Sequence, residues 1–152
     1  MVNKMGDKKR LFELMHKVGG LNKKLLCEEN LPIDKKQLIV NDFISYVSEE
    51  LGIKNNKPDV DVMFEENTTA SDNNSFGSYD PGTYSIKIVG YNRNLADTLR
   101  TLAHEMIHHK QNLNSELNEK SGETGSEHEN EANSLAGILM REYGKKNPII
   151  FE

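Results

Sequence analysis

The sequence contains a single cysteine, Cys27, so it cannot form an internal disulfide. No secretory signal is visible in the polar start MVNKMGDKKR, and no apolar run is long enough to span a bilayer. These absences argue against a disulfide-stabilised secreted scaffold and against a transmembrane protein. We therefore expect a protein of the reducing cytoplasm that does not associate with a membrane.

An excess of positive charge is also absent. The formal net charge is -5, which argues against a broad nucleic-acid-binding surface. The local cluster Lys8, Lys9 and Arg10 is typical of a solvated helix end, although it could touch an acidic partner. The sequence also has neither a helix-turn-helix nor a zinc ribbon. It therefore predicts no nucleic-acid partner.

The length of 152 residues fits one domain, although only 36% of the residues are hydrophobic. Stretches with few apolar residues are expected in loops and at the amino terminus. The sequence therefore predicts a single domain over residues 1–152, with its core at about 34–143. A peripheral helix is expected within residues 1–30.

The first half of the chain changes from helical to alternating periodicity. Apolar residues at helical spacing predict helices at 7–18 and 34–51, with Asp34 as a plausible N-cap of the second. Alternation then predicts a strand at 59–65. The turn signal DPG is expected to join residues 76–79 to a strand at 83–89 in a hairpin.

Two longer helices are predicted in the second half. The first begins after the N-cap Asn94 and ends at about Leu113. The second begins after Ser126, which forms a capping box with Glu129, and has its stop signals at Gly144 and Pro148. The fold class expected is α+β, with a small, mostly antiparallel sheet packed on these two helices.

The first of these helices contains HEMIH, which places His104 and His108 four residues apart. On a helix they project from one face, one turn apart, and can share a tetrahedral Zn²⁺. Glu105 is displaced by about 100° around the helix, which places it beside the metal as a general base. The neighbouring His109 is expected to face solvent or to support a ligand.

A catalytic zinc ion usually has three protein ligands, and the segment EHENEAN on the last helix offers four candidates for the third. Glu129 is explained by the capping box and Glu127 by the helix dipole. Glu131 lies deeper, on the same arc as Leu135, where a carboxylate needs a cationic partner. Glu131 is therefore preferred, and His128 is its chief competitor, followed by Glu127.

The combination of HEMIH with the downstream segment ENEANSLAG resembles the gluzincin class of HExxH metallopeptidases. The segment ENEANSLAGIL is similar to the glutamate helix of ImmA/IrrE-type peptidases. LRTLAHEMIHHKQ resembles the active-site helix of that group and of SprT-like proteins. The resemblance covers about residues 83–143 and implies a zincin-like fold.

The resemblance implies that zinc is held by His104, His108 and Glu131, with Glu105 as general base and acid. It also implies that an edge strand binds the peptide substrate, and the strand at 83–89 occupies the corresponding position. Such a strand aligns an extended peptide through main-chain hydrogen bonds. An ordinary inner strand explains residues 83–89 equally well.

Three departures from related patterns limit the resemblance. Thermolysin-like enzymes have an aspartate four residues after the glutamate, where this chain has Leu135, so the partner of a ligand histidine is not identified. The glycine and third histidine of metzincins are missing from HKQNLNS. Cys27 lacks the surroundings that peptide deformylases require.

The function expected is that of an endopeptidase acting on a protein or peptide substrate, with Glu105 transferring a proton from a zinc-activated water. Two alternatives stay open: a zinc-binding regulatory or interaction module with negligible turnover, and a zinc hydrolase of a non-peptide amide. Tyr84, Tyr91 and Tyr143 could each stabilise an oxyanion, but packing explains them equally well. The sequence predicts no oligomeric state.

Overall fold

The computed structural model describes residues 31–66, 75–118, 123 and 125–151. The helix expected at 7–18 lies outside the described residues. The described chain has an α+β fold whose sheet has three strands. The elements are helix α1 (Ile33–Glu50), strands β1 (Asp59–Met63), β2 (Gly77–Asp80) and β3 (Ser85–Val89), helices α2 (Leu95–Leu113) and α3 (Glu127–Lys146), and a terminal 3₁₀ turn (Pro148–Phe151).

Helix α1 begins slightly earlier than predicted. Its N-cap is Pro32, and Asp34 lies in the first turn, where an acidic side chain suits the positive end of the helix dipole. The proposed N-cap role of Asp34 is therefore wrong. The buried face of the helix includes Val40, Phe43 and Val47 at helical spacing, all fully buried, so α1 is amphipathic as expected.

The sheet is mixed, with the strand order β1-β3-β2. Strand β1 pairs with β3 in parallel, and β2 pairs with β3 in the antiparallel hairpin predicted from DPG. The expectation of a mostly antiparallel sheet is thus corrected, because the chain passes from β1 to β2 on the far side of β3, and the hairpin then returns β3 beside β1 in the same direction. Strand β3 is the central strand, and its Ile86 and Ile88 are fully buried.

Helix α2 has the predicted boundaries, and the Asn94 side chain accepts a hydrogen bond from Ala96 N. The helix contacts the sheet on one side and α3 on another. Its fully buried residues accordingly cover a broad arc, with adjacent pairs such as Leu102–Ala103 and Met106–Ile107. The metal-site motif lies on a helix that is fixed from two sides.

Helix α3 begins after Ser126, as predicted, and continues to Lys146, past the expected stop at Gly144. Gly144 is buried within the helix, and a Cβ atom there would collide with the Phe151 ring, so the glycine admits the terminal 3₁₀ turn. None of the described helices combines the length and the hydropathy that a membrane crossing requires.

A partly buried hydrogen bond joins α3 to α1 at the edge of the core. The Tyr143 hydroxyl donates to Asp42 Oδ2 at 2.7 Å, and the Tyr143 ring packs edge-on against Phe43 at a centroid distance of 4.9 Å. Burial raises the pKa of Tyr143, and the neighbouring Asp42 carboxylate adds to this effect. The phenol therefore remains protonated and able to donate.

Replacing Tyr143 by phenylalanine should lower the free energy of unfolding by about 1.5–3 kcal/mol, because the hydrogen bond to a charged carboxylate is lost while the ring is kept. Denaturant titration would measure the change. Tyr46→Phe is the matched control, since its ring lies 5.2 Å from that of Tyr143, and it should change stability by less than about 0.5 kcal/mol. Equal effects of the two substitutions would contradict the role of the bond.

Candidate metal centre

The two histidines of HEMIH lie one turn apart on α2 and point to the same place. Their Nε2 atoms are 3.1 Å apart, and the two rings meet edge to face at a centroid distance of 4.6 Å. The side chains are 17% exposed for His104 and 12% for His108. Both side chains are therefore mostly buried but still in contact with solvent.

Glu129 of α3 completes the group. Its Oε1 lies 3.0 Å from His104 Nε2, and its Oε2 lies 3.1 Å from His108 Nε2. Among the described residues, these three side chains form the only group of three or more metal-ligand candidates, with the ligand atoms all within 4.8 Å of one another. The chain thus contains a cluster that could hold a metal ion.

The carboxylate that lies with the histidines is Glu129 and not Glu131, the residue preferred from the sequence. Glu131 is exposed, and its Oε1 accepts a hydrogen bond from Gln111 Nε2 at 3.2 Å. Of the other two candidates, Glu127 is exposed, and His128 contributes its backbone carbonyl to the same Gln111 amide. Among the described residues, the structure therefore places Glu129, and not Glu131, in the cluster that could hold a metal ion.

The error came from the choice of the buried arc on α3. The predicted arc follows Leu135, yet Leu135 is only half-buried, and Ile138, about 60° from it around the helix, is 49% exposed. The arc that packs inward includes Ala136 and Met140, which are almost fully buried. At about 100° per residue, Glu129 lies about 20° from each of these two positions. The signal that identifies this arc is the stripe of Ala132, Ala136 and Met140.

The position of Glu129 in the capped first turn of α3 does not prevent its side chain from joining the cluster. Ser126 Oγ accepts a hydrogen bond from Glu129 N at 3.2 Å, so the predicted N-cap is confirmed. This bond uses the main chain of Glu129 and leaves its carboxylate for the histidines. The N–H group of Ser126 donates to the Glu123 carbonyl at 3.0 Å. The glutamate side chain of a capping box is therefore not needed there.

Each histidine has a partner beyond the cluster. His108 Nδ1 lies 2.8 Å from Gln111 Oε1. His104 hydrogen-bonds with the side chain of Asn133, which is four residues after Glu129. Thermolysin-like enzymes have an aspartate four residues after the glutamate. Counted from Glu129, this position is the polar Asn133, whereas counted from Glu131 it is Leu135. Such partners fix the orientation of ligand imidazoles.

The donor set itself fits a cation. An amide oxygen can only accept, so His108 Nδ1 must carry a proton to bond with Gln111 Oε1. In the neutral imidazole, Nε2 is then an acceptor that faces a carboxylate oxygen of Glu129. Two acceptors at 3.1 Å repel each other, so a proton or a metal ion between them would be favoured.

The distances also fit a tetrahedral ion. Two nitrogens bound to one zinc ion at the usual bond lengths lie about 3.3 Å apart, close to the 3.1 Å between the two Nε2 atoms. Burial lowers the pKa of His104, although the Glu129 carboxylate opposes this effect. Its neutral form, which is the form that binds metals, is thereby favoured.

Glu105 lies beside the cluster without joining it. The pKa of its carboxyl group is raised to about 7, chiefly by burial; a positive charge on His108 lowers it, and the negative charge of Glu129 raises it. The carboxylate also lies against β2, because a Cβ atom on Gly77 would be 3.3 Å from Glu105 Oε1. The role of Glu105 as general base stays a prediction.

His109 differs from its expected position. It is buried on the sheet side of α2, where Nε2 lies 2.6 Å from the Asn56 carbonyl and Nδ1 lies 2.8 Å from the Tyr79 hydroxyl. The carbonyl requires a donor at Nε2, so Nδ1 accepts from Tyr79. This histidine connects α2 to β2 and to the loop before β1.

The three tyrosines considered as oxyanion donors are not gathered at the cluster. Tyr143 is bonded to Asp42 at the edge of the core. Tyr84 has a positive φ of 54° in the hairpin turn, and its ring packs edge-on against His109. Tyr91 is exposed in the turn before α2. None of these contacts identifies any of the three tyrosines as an oxyanion donor.

No protein-family model, curated protein or solved structure matches this chain. A functional assignment therefore depends on the chemistry of the site itself. The informative features are the three converging ligand atoms, the partners of the imidazoles and the protonation of Glu105.

Glu129→Ala should weaken zinc binding by at least a hundredfold, because it removes one of three ligand atoms from the cluster. Glu131→Ala should change the affinity by less than about tenfold, since Glu131 only accepts a bond from Gln111. Competition with a chromophoric chelator would measure both affinities. A collapse of affinity in Glu131→Ala with none in Glu129→Ala would restore the original assignment.

Glu105→Gln should stabilise the metal-free protein at pH 8 by about 2–3 kcal/mol relative to the native residue, but not at pH 4. The folded state keeps the Glu105 proton up to about pH 7, whereas the unfolded state releases it near 4.5. The native stability therefore falls as the pH rises between these values, and glutamine has no proton to lose. Denaturant titration of chelator-treated protein at several pH values would show the difference; a constant offset would contradict it.

Proposed function

We propose that this protein is a zinc-dependent peptidase of the gluzincin type, with a zincin-like arrangement of α2, α3 and the sheet. The observation that carries the proposal is the convergence of His104, His108 and Glu129 beside a separate, half-buried Glu105. A purely structural zinc site is closed by four protein ligands, whereas a catalytic site has three and an open position. The described residues supply three.

The ligands proposed are His104 Nε2, His108 Nε2 and one carboxylate oxygen of Glu129. When bound, zinc lowers the pKa of a coordinated water to about 7 and polarises the scissile carbonyl. The chain orients its ligands through the contacts of His108 with Gln111 and of His104 with Asn133. Pre-oriented imidazoles reduce the entropy lost when the ion binds.

Glu105 is assigned the proton transfers. A carboxyl group whose pKa is raised by burial is a stronger base than an exposed glutamate, and it can both accept a proton from water and donate it to the leaving amine. The Glu105 carboxylate lies against β2, which is an edge strand of the sheet, and therefore on the side of the cluster that faces this edge. The substrate carbonyl would therefore lie between β2 and the histidines.

Strand β2, at the edge of the sheet, is the proposed site for the substrate backbone. This replaces the strand at 83–89, because β3 is the central strand and has a neighbour on each side. Gly77 allows β2 to lie close to α2. A Cβ atom at this position would clash with the Thr101 side chain and approach Glu105 Oε1. An extended peptide added to this edge would pass Glu105, which favours a peptide over a non-peptide amide.

The decisive experiment compares the zinc-loaded protein with Glu105→Gln on a proteome-derived peptide library, scored by mass spectrometry for new termini. The variant should bind zinc as the native protein does, yet cleave more slowly by two to four orders of magnitude, since only the proton-transfer group is lost. Glu142→Gln is the matched control, because Glu142 is exposed and pairs with Lys145. It should retain full activity.

Zinc binding without cleavage by the native protein would favour the regulatory or interaction module instead. Loss of both zinc and activity in Glu105→Gln would make Glu105 a ligand and contradict its proposed role. Cleavage that is equal in the native protein and in Glu105→Gln would show a contaminating peptidase.

A further inference from the structure

Gln111 is fully buried. It lies in the last turn of α2, the end of this helix that is nearest the start of α3. A buried amide is costly unless its hydrogen-bonding groups find partners. All three partners of this side chain belong to the cluster or to the turn of α3 that carries Glu129. They are His108 Nδ1, the His128 carbonyl and Glu131 Oε1.

These partners fix the orientation of the amide. The NH₂ group donates to the His128 carbonyl at 3.0 Å and to Glu131 Oε1 at 3.2 Å, and both of these atoms are acceptors. A flipped amide would place an oxygen against two oxygens. The amide oxygen must therefore face His108, and it can bond there only to a protonated Nδ1.

The same amide also holds the chain around Glu129. Its two donor bonds end on His128 and Glu131, the residues one before and two after Glu129. A change in the position of the first turn of α3 would break these bonds. Gln111 therefore connects the helix that carries the histidines to the helix that carries the carboxylate.

We infer that Gln111 is the positioning residue of the metal centre: it selects the His108 tautomer whose Nε2 can bind a metal and sets the distance of Glu129 from the histidines. The inference depends on the proposed metal site and extends it. Neutral histidine side chains in water favour the opposite tautomer, with the proton on Nε2. Without Gln111, a proton would occupy the ligand atom and bond to Glu129.

The first test reads the tautomer in metal-free protein. Long-range ¹H–¹⁵N correlation spectra at about pH 9, where imidazoles are neutral, should show His108 with its proton on Nδ1. In Gln111→Met, which has a similar volume and no hydrogen-bonding amide, the proton should move to Nε2. An unchanged tautomer in the variant would overturn the inference, whether or not the protein has peptidase activity.

The second test reads zinc affinity by chelator competition, at a temperature where circular dichroism shows each variant to be folded. Gln111→Met should bind zinc 10- to 100-fold more weakly, the range typical for partners of metal ligands. Gln37→Met is the matched control, because Gln37 bonds to Asn41 on α1, and it should bind as the native protein does. A purely structural role would lower the stability of Gln111→Met with its affinity unchanged, which would overturn the inference.

A rescue separates the chemistry of the amide from its packing. Gln111→Glu keeps an oxygen for His108 but loses both donors and places a carboxylate beside Glu131, so affinity should fall. In the double variant with Glu131→Gln, the new glutamine at 131 donates to the new glutamate at 111, so the bond between these positions forms again with its direction reversed. The zinc affinity of the double variant should be at least tenfold higher than that of Gln111→Glu alone. No recovery in a folded double variant would overturn the link to α3. A native protein that fails to bind zinc would instead overturn the proposed function, while the tautomer test remains valid.

Discussion

The packing of α2 against α3 is the contact on which the rest of the described structure depends. Ala132 and Ala136 are almost fully buried between the helices, and such small side chains let two helix backbones approach closely. The same approach brings Glu129 to within 3.1 Å of both histidines. This interface therefore contributes both to the core and to the candidate metal centre, and a disturbance of one should reach the other.

The opposite side of α2 is held by the sheet. His109 joins Tyr79 of β2 to the Asn56 carbonyl, and Asn112 donates to the Tyr79 hydroxyl at 2.9 Å. Consecutive histidines thus serve opposite sides of one helix: His108 faces α3, and His109 faces the sheet. Because α2 is fixed from both sides, its histidines can be held in place without the flexibility of a loop.

The charges of the site act on one another. The Glu129 carboxylate favours the protonated forms of both His104 and Glu105, while burial favours their neutral forms. For the histidine these effects oppose each other, and for Glu105 they add. This difference explains how one cluster can contain a neutral imidazole that is ready to bind a metal and a glutamate that keeps its proton to about pH 7. A bound divalent cation would lower the pKa of Glu105 and make it available as a base.

Local signals in the sequence determined the helix caps Asn94 and Ser126, the hairpin at DPG, and the helical spacing that aligns His104 with His108, because each depends on a few neighbouring residues. The parallel pairing of β1 with β3, and hence which strand forms an edge, depends on residues far apart in sequence. No local pattern encodes such a pairing.

The third member of the cluster was likewise decided by tertiary structure. The sequence limited it to four residues of EHENEAN but not to one of them, because several rotations of α3 bury some apolar residues. Only packing against α2 shows that the alanine stripe faces inward while Ile138 remains exposed. Gln111 was missed for the same reason, since a glutamine on a helix has no distinctive spacing until its partners on the second helix are known. The sequence thus specified the chemistry available to each helix, and the contact between the helices determined which side chains meet.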